Sequence, residues 1–218
     1  MDVVNTTEIR CSGGVAKVLL DVPQGMQIKN WKRGKFYESP FLEYLRATYH
    51  GGTWVDGGSA LGNHTLFMAL FCDCERVVSV DPMAESLAIQ TRILSLNGVT
   101  EKVSIICTAL ANWSGVGLME RFGPGVGHWR LVGYSGDGGV SVATLDEFRL
   151  ADVRVLKLDV EGHELRALKG ATYLLSTQNP AVFTECNTQR EAEEIARFLK
   201  QFGYSHGRSF HTMHEWRV

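Results

Sequence analysis

The side chains of this 218-residue chain that are equipped for chemistry gather in two runs. One is Asp56-Gly57-Gly58-Ser59-Ala60-Leu61-Gly62-Asn63-His64-Thr65, directly after the triplet Thr53-Trp54-Val55. Glycine at such a place lets the backbone approach a ligand closely before it turns into a helix. The spacing is D-x-G-x-x-x-G rather than the G-x-G-x-x-G of dinucleotide enzymes. The other run is Lys157-Leu158-Asp159-Val160-Glu161-Gly162-His163-Glu164. On a strand Lys157 and Asp159 share a face, so the ammonium can hold the carboxylate ionised as the strand ends. An acidic helix start explains Glu164 at least as well as chemistry does. A charge inside an apolar strand, such as Asp159, needs a reason.

Periodicity supplies the elements that must position these runs. The first 30 residues read as short strands with a turn at Gly13-Gly14. Ser39-Pro40 reads as an N-cap and first helical residue, followed by Phe41, Tyr44, Leu45 and Thr48 at helical spacing, and that helix ends near Gly51-Gly52. Strands and helices then alternate: a strand at 53–55, an apolar helix at 65–71, a strand at 77–80 ending at Asp81, and a helix from Pro82 stopped by Asn97-Gly98. Further strands are expected at 103–107, 153–160 and 181–185, with one helix marked by Leu168, Ala171, Thr172 and Leu175 between the last two. Thr188 and Glu191 form a capping box for a final helix that stops at Gly203. This order predicts an α/β fold with a mostly parallel sheet and helices on both faces. Residues 111–145 carry nine glycines, break the rhythm, and read as an irregular functional insertion. One domain over 1–218 is expected, with 1–50 as N-terminal strands and helix.

In an open parallel sheet, ligands lie outside the carboxyl ends of the strands. Those ends are Asp56, Asp81, Thr108-Ala109, Asp159 to Glu161, and Glu185. Asp81 lies 23 residues after Gly58, near the spacing of about 20 at which an acidic residue takes ribose hydroxyls. A carboxylate beside the turn repels a pyrophosphate, whereas S-adenosyl-L-methionine offers an ammonium and a sulfonium and no phosphate. Separately, the glycines read as a tight turn and Asp81 as a cap before Pro82; together they predict that cofactor. Its expected contacts are Asp56, Gly58, Ser59, Gly62, Asn63, Thr65, Asp81, Pro82, Ala109 and Asp159. Asp159 and Glu185 can share a proton, leaving one as a base, or hold a divalent cation. The metal-free base is favoured because no third oxygen ligand stands out. Lys157 supports this chemistry, and His163 is a further base candidate. Trp113, Phe122, Trp129 and Tyr134 of the insertion are expected on the acceptor side, in a segment free to move.

Composition bounds the alternatives. At 44% hydrophobic and 21% charged the chain can bury a core, which excludes a disordered tail, a collagen or a mucin-like stalk. No apolar run approaches the roughly 18 residues of a membrane helix, and the opening Met1-Asp2 lacks a basic leader, so a cytoplasmic protein is expected. Cys72 and Cys74 are too close for the usual zinc pair, and reduced thiols are expected throughout. A net charge of -2 argues against affinity built on neutralising many phosphates. His206, His211 and His214 read as a polar terminal hairpin rather than a metal site, and Lys29, Lys32, Arg33 and Lys35 around Trp31 as a solvated face.

These segments resemble the FkbM-type methyltransferases. The likeness lies in the 56–65 run, Val80-Asp81-Pro82, Thr144-Leu145-Asp146, the 157–164 run and Phe183-Thr184-Glu185, with Phe36-Tyr37-Glu38 similar to the segment before the glycine motif. It spans 36–185, and K-x-D-x-E-G-x-E is its most specific part; it departs at Ser59-Ala60, where the family commonly has Ala-Asn. The resemblance implies a class I methyltransferase (Rossmann-like) fold, transfer of a methyl group to a hydroxyl of a small molecule or sugar, and a cofactor contact at Glu38. Three rivals stand beside it. One is an RNA ribose 2'-O-methyltransferase built on Asp159, Lys169 and Glu185, disfavoured by the net charge. The others are a non-catalytic S-adenosylmethionine-binding domain and a nicotinamide oxidoreductase.

Overall fold

The structure, a computed structural model, describes residues 5–22, 25–125, 127–136 and 138–218. The opening Met1-Asp2 lies outside them. A hairpin of β1 (Thr6–Cys11) and β2 (Gly14–Leu19) leads to α1 (Met26–Trp31) and α2 (Ser39–Thr48). The alternating series follows as β3 (Thr53–Gly57), α3 (Asn63–Phe71), β4 (Arg76–Asp81), α4 (Ala84–Leu96) and β5 (Val103–Cys107). Next come four strands, β6 (Ala109–Leu110), β7 (Gly115–Arg121), β8 (Trp129–Tyr134) and β9 (Val140–Ala143). The chain closes with β10 (Val153–Leu158), α5 (Glu164–Lys169), α6 (Thr172–Gln178), β11 (Ala181–Glu185), α7 (Gln189–Leu199), β12 (Ser205–Phe210) and β13 (Met213–Arg217).

The central sheet has seven strands in the order β12-β13-β11-β10-β3-β4-β5. The five strands from β11 to β5 are parallel, and the β12–β13 hairpin joins one edge antiparallel, so the sheet is mostly parallel with a mixed edge. Strand alternation divides the core. Trp54 and Val77 pack with Leu66, Phe67 and Ile93 of the helices on one face; Val55 and Val78 pack with Leu168, Leu175 and Ile195 on the other. The three C-terminal histidines fall on the β12–β13 hairpin and its turn.

Five local expectations need correction. The first 30 residues are not strands throughout, because Met26–Trp31 form α1 with Ile28 and Trp31 buried. Glu38, not Ser39, caps α2: it is held in the left-handed region at φ 55, and the Ser39 hydroxyl donates to Phe36 O at 2.6 Å. Strand β10 stops at Leu158, because after Asp159 N–H donates to Gly57 O at 3.0 Å the chain turns through Glu161 (φ 54) and Gly162 (φ 89). The single helix expected after it is two, α5 and α6. Gly170 abuts the Ala111 carbonyl, where a Cβ would lie 2.1 Å from the oxygen. The Asp146 carboxylate then starts α6 afresh by accepting from Tyr173 N–H (2.9 Å) and Leu174 N–H (3.0 Å). Residues 111–145 are not irregular, since β7, β8 and β9 with β6 form a small sheet. Several of its glycines serve close packing: a Cβ on Gly117 would lie 2.4 Å from Leu131 Cδ1.

Candidate active site

Strand order reverses between β3 and β10, which opens a crevice at their carboxyl ends. The small sheet roofs it with Met119, Phe122, His128, Trp129 and Leu131, enclosing a cavity of about 520 Å³. That lies within the roughly 300–1,000 Å³ of small-molecule sites. The floor begins at Gly58, in the left-handed region at φ +75, where any Cβ would lie 1.7 Å from the Asp159 carbonyl oxygen. Only glycine lets this turn meet the end of β10. Ala60 follows at φ 47, and its N–H donates to Asp81 Oδ2 at 2.9 Å, while Met83 N–H donates to Oδ1 at 2.9 Å. Burial pushes the Asp81 carboxyl up to about 6, against the pull of these two donors. The result is an oriented hydrogen-bond acceptor beside the apolar side chains of Leu61, Val80, Pro82 and Met83, a combination suited to a ribose diol and a purine ring.

Behind the floor lies a network of buried charge. Lys157, fully buried, places Nζ 2.9 Å from Asp56 Oδ1 and 3.6 Å from Asp159 Oδ2, and donates to the Gly58 carbonyl at 3.2 Å. Asp56 Oδ2 accepts from the Thr65 hydroxyl at 2.6 Å. Burial opposes ionisation of both partners, yet their attraction prevails: Asp56 is held below the usual carboxylate range and Lys157 above the usual lysine value. Asn63 clamps the preceding segment, accepting at Oδ1 from Trp31 Nε1–H and Tyr37 N–H and donating from Nδ2 to Tyr37 O, each at 3.0 Å. Glu38 meets His64 Nε2 at 2.9 Å; burial raises its carboxyl, and the His64 hydrogen bond and charge bring it back below its ordinary value. Ser59 donates to Gln90 Oε1 at 3.3 Å.

The residues expected from sequence therefore separate. Gly58, Asp81, Pro82, Ala109, Asp159, His163 and Glu185 line the cavity. Asp56, Ser59, Asn63, Thr65 and Lys157 are buried, and with Glu38 and Gly62 they stand behind the lining as its supports. Lys169 is exposed at the end of α5 and does not join Asp159 and Glu185. In the roof Phe122 and Trp129 line the cavity, whereas Trp113 and Tyr134 pack against each other, ring centroids 5.9 Å apart. Sequence reasoning missed His128 of the roof and Tyr37, whose only signal was its place beside Glu38.

Three carboxylates converge at the ends of β10 and β11. Asp159, Glu164 and Glu185 offer oxygens that all lie within 4.8 Å of one another, so Glu164 is the third oxygen not foreseen for a cation. Its Oε1 is engaged already, accepting from Val160 N–H (2.8 Å) and Gly162 N–H (3.3 Å), while burial pushes the carboxyl up to about 7. Burial and the Asp159 charge push Glu185 to about 8, although Asn187 Nδ2 donates to it at 3.0 Å. Burial and the neighbouring Asp159 and Glu164 bring Glu161 to about 7. Burial and then Arg166 lower His163, which favours the neutral imidazole. The cluster as a whole can carry a proton near neutrality.

A model of the FkbM methyltransferase domain matches residues 56–205. Methyltransferase FkbM from Methylobacillus flagellatus KT superposes with a TM-score of 0.59 at 15% identity, over 79% of this chain and 45% of its own. This chain thus spans less than half the length of that protein. An S-adenosylmethionine-dependent O-methyltransferase from Thermotoga maritima gives 0.53 at 14% identity, over 96% of this chain and 76% of its own. An rRNA methylase from Streptococcus thermophilus gives 0.51 at 13% identity, over 82% and 93%. At these identities the structural likeness is one of fold. No curated protein matches the sequence.

Proposed function

The chain belongs to the FkbM methyltransferase domain family, whose cofactor is S-adenosylmethionine, and from that premise we propose that it methylates a hydroxyl oxygen of a small molecule or sugar. The carrying observation is the Asp159–Glu185 pair beside the glycine turn and Asp81, all in one cavity. S-adenosylmethionine supplies a methyl group on a positively charged sulfur. Asp81 would hold the ribose hydroxyls, the backbone of the 58–61 turn would leave room for the cofactor beside it, and the roof would restrict the access of water to the reacting centre. Alignment of acceptor and methyl is the protein's main contribution, and a carboxylate takes the acceptor's proton. Asp159 stands 3.6 Å from Lys157, whereas among the described residues Glu185 has no cation within ion-pair distance. Glu185 is therefore the proton carrier of the pair. The cavity is lined by the carboxyls of Asp81, Asp159, Glu161 and Glu185 and, among the described residues, by no lysine or arginine that could neutralise a polyanionic acceptor, which favours a small molecule or sugar over RNA. No helix among the described residues is long and apolar enough to cross a membrane.

Calorimetry with S-adenosylhomocysteine tests the pocket. Asp81→Ala removes charge-assisted hydrogen bonds worth about 1.5–3 kcal/mol and lowers affinity roughly 10- to 150-fold. Equal affinity in variant and wild type would remove the proposed pocket. A screen of hydroxylated acceptors, with and without chelator, tests the chemistry; the metal-free base requires turnover that survives the chelator.

A further inference from the structure

We infer that the Tyr37 hydroxyl donates a hydrogen bond to the acceptor oxygen during methyl transfer. The inference rests on the O-methyl transfer proposed above and assigns a residue to it. Tyr37 lines the cavity together with Asp159 and Glu185. Its main chain is fully occupied: N–H and carbonyl are both taken by the Asn63 side chain at 3.0 Å, and Asn63, itself buried, is the first residue of α3 behind the glycine turn. The same Asn63 oxygen accepts from buried Trp31, and the Tyr37 ring stands edge-on to His64 at 6.3 Å. The tyrosine is thus fixed to the element that shapes the cofactor turn, while its hydroxyl has no hydrogen-bond partner among the described residues.

Such a donor has a use wherever loss of the acceptor's proton runs ahead of bond formation to the methyl carbon. When the acceptor's proton passes to the Glu185 carboxylate, negative charge develops on an oxygen already surrounded by carboxylates. A fixed O–H offsets that charge without reorganisation. The acceptor oxygen forms its bond to the methyl carbon, the carbon–sulfur electron pair stays on sulfur, and Tyr37 keeps its own proton throughout. Burial, with the charges of Glu38, Asp159 and Glu185, pushes the phenol up to about 12, so it remains a donor across the working range.

Tyr37→Phe keeps the ring and the main-chain clamp and removes only the hydroxyl. With an acceptor that the wild type methylates, kcat is expected to fall roughly 10²- to 10³-fold with a smaller change in KM, while S-adenosylhomocysteine affinity by calorimetry and the melting temperature stay at wild-type values. An unchanged kcat overturns the inference and leaves O-methyl transfer standing. A fall in S-adenosylhomocysteine affinity that accounts for the lost rate also overturns it, since the hydroxyl would then belong to cofactor binding. If the wild type binds S-adenosylhomocysteine but methylates no hydroxylated acceptor, the underlying reading fails and Tyr37's role with it.

Discussion

Lys157→Met removes the ammonium that stands between Asp56 and Asp159 and leaves a side chain of similar length in its place. Asp56 is fully buried; it keeps the Thr65 hydroxyl at 2.6 Å but loses the cation 2.9 Å from its other oxygen. The Gly58 carbonyl loses a donor as well. Breaking a buried pair on one side costs about 3–5 kcal/mol, a large share of the roughly 5–15 kcal/mol that holds a domain together. The pH dependence gives the sign. In the wild type Asp56 sits below its ordinary value, so its contribution is present above the unfolded value of about 3.9 and is lost as pH falls through the folded one. In the variant only the Thr65 hydroxyl and the more distant His64 still oppose burial, and Asp56 rises above that value. Its stability is then greatest in acid and declines as pH rises through the new folded value, so the deficit is largest near neutrality and shrinks toward acid. Adding Asp56→Asn to the Lys157→Met variant removes the stranded charge and restores most of the loss, which a double-mutant cycle measures. Urea unfolding at about pH 5 and about pH 8, with the slope checked for constancy, is the assay. A deficit below about 1 kcal/mol at neutral pH, one that grows in acid, or a further loss on adding Asp56→Asn would refute the reasoning.

Glu185 works as a base only when deprotonated, so kcat/KM should rise with pH and level off above about 8, and Glu185→Gln should lower it by roughly 10²- to 10⁴-fold; a flat profile below that value would exclude Glu185 as the base. Gly58→Ala places a methyl 1.7 Å from the Asp159 carbonyl oxygen and forces the turn to move, so both melting temperature and S-adenosylhomocysteine affinity should drop; wild-type affinity in that variant would show that the turn does not shape the pocket.

Where periodicity and punctuation coincide, the chain is legible: β5 and β11 fall at the residues their apolar runs mark, and Thr188 and Glu191 form the capping box their spacing predicts. Legibility ends where a partner distant in sequence decides. Leu168, Ala171, Thr172 and Leu175 keep helical spacing across Gly170, and nothing local announces the Ala111 carbonyl or the Asp146 cap that divide α5 from α6. Glycine is ambiguous for a related reason. In 111–145 it suggested freedom to move, but at Gly117 it gives room for Leu131 and Val142, a packing role that only the paired strands reveal.

The same limit governs the site. That carboxylates gather at strand ends follows from the topology alone, and so does the shared face of Lys157 and Asp159. The cross-strand register does not. It sets Lys157 directly opposite Asp56, so the lysine's closest partner is the carboxylate of the neighbouring strand at 2.9 Å, and Asp159 is its second at 3.6 Å. Asp56 stands outside the cavity lining: it fixes the cation, and the cation fixes the Gly58 carbonyl and the end of β10 together. Glu185 ends β11, which pairs with β10 on the side away from β3, and shares no ion pair with Lys157. One buried ammonium divided between two carboxylates leaves the third to burial and to the Asp159 charge, and both push its proton affinity toward neutrality. The register of two strands thus decides which carboxylates at the site share the ammonium.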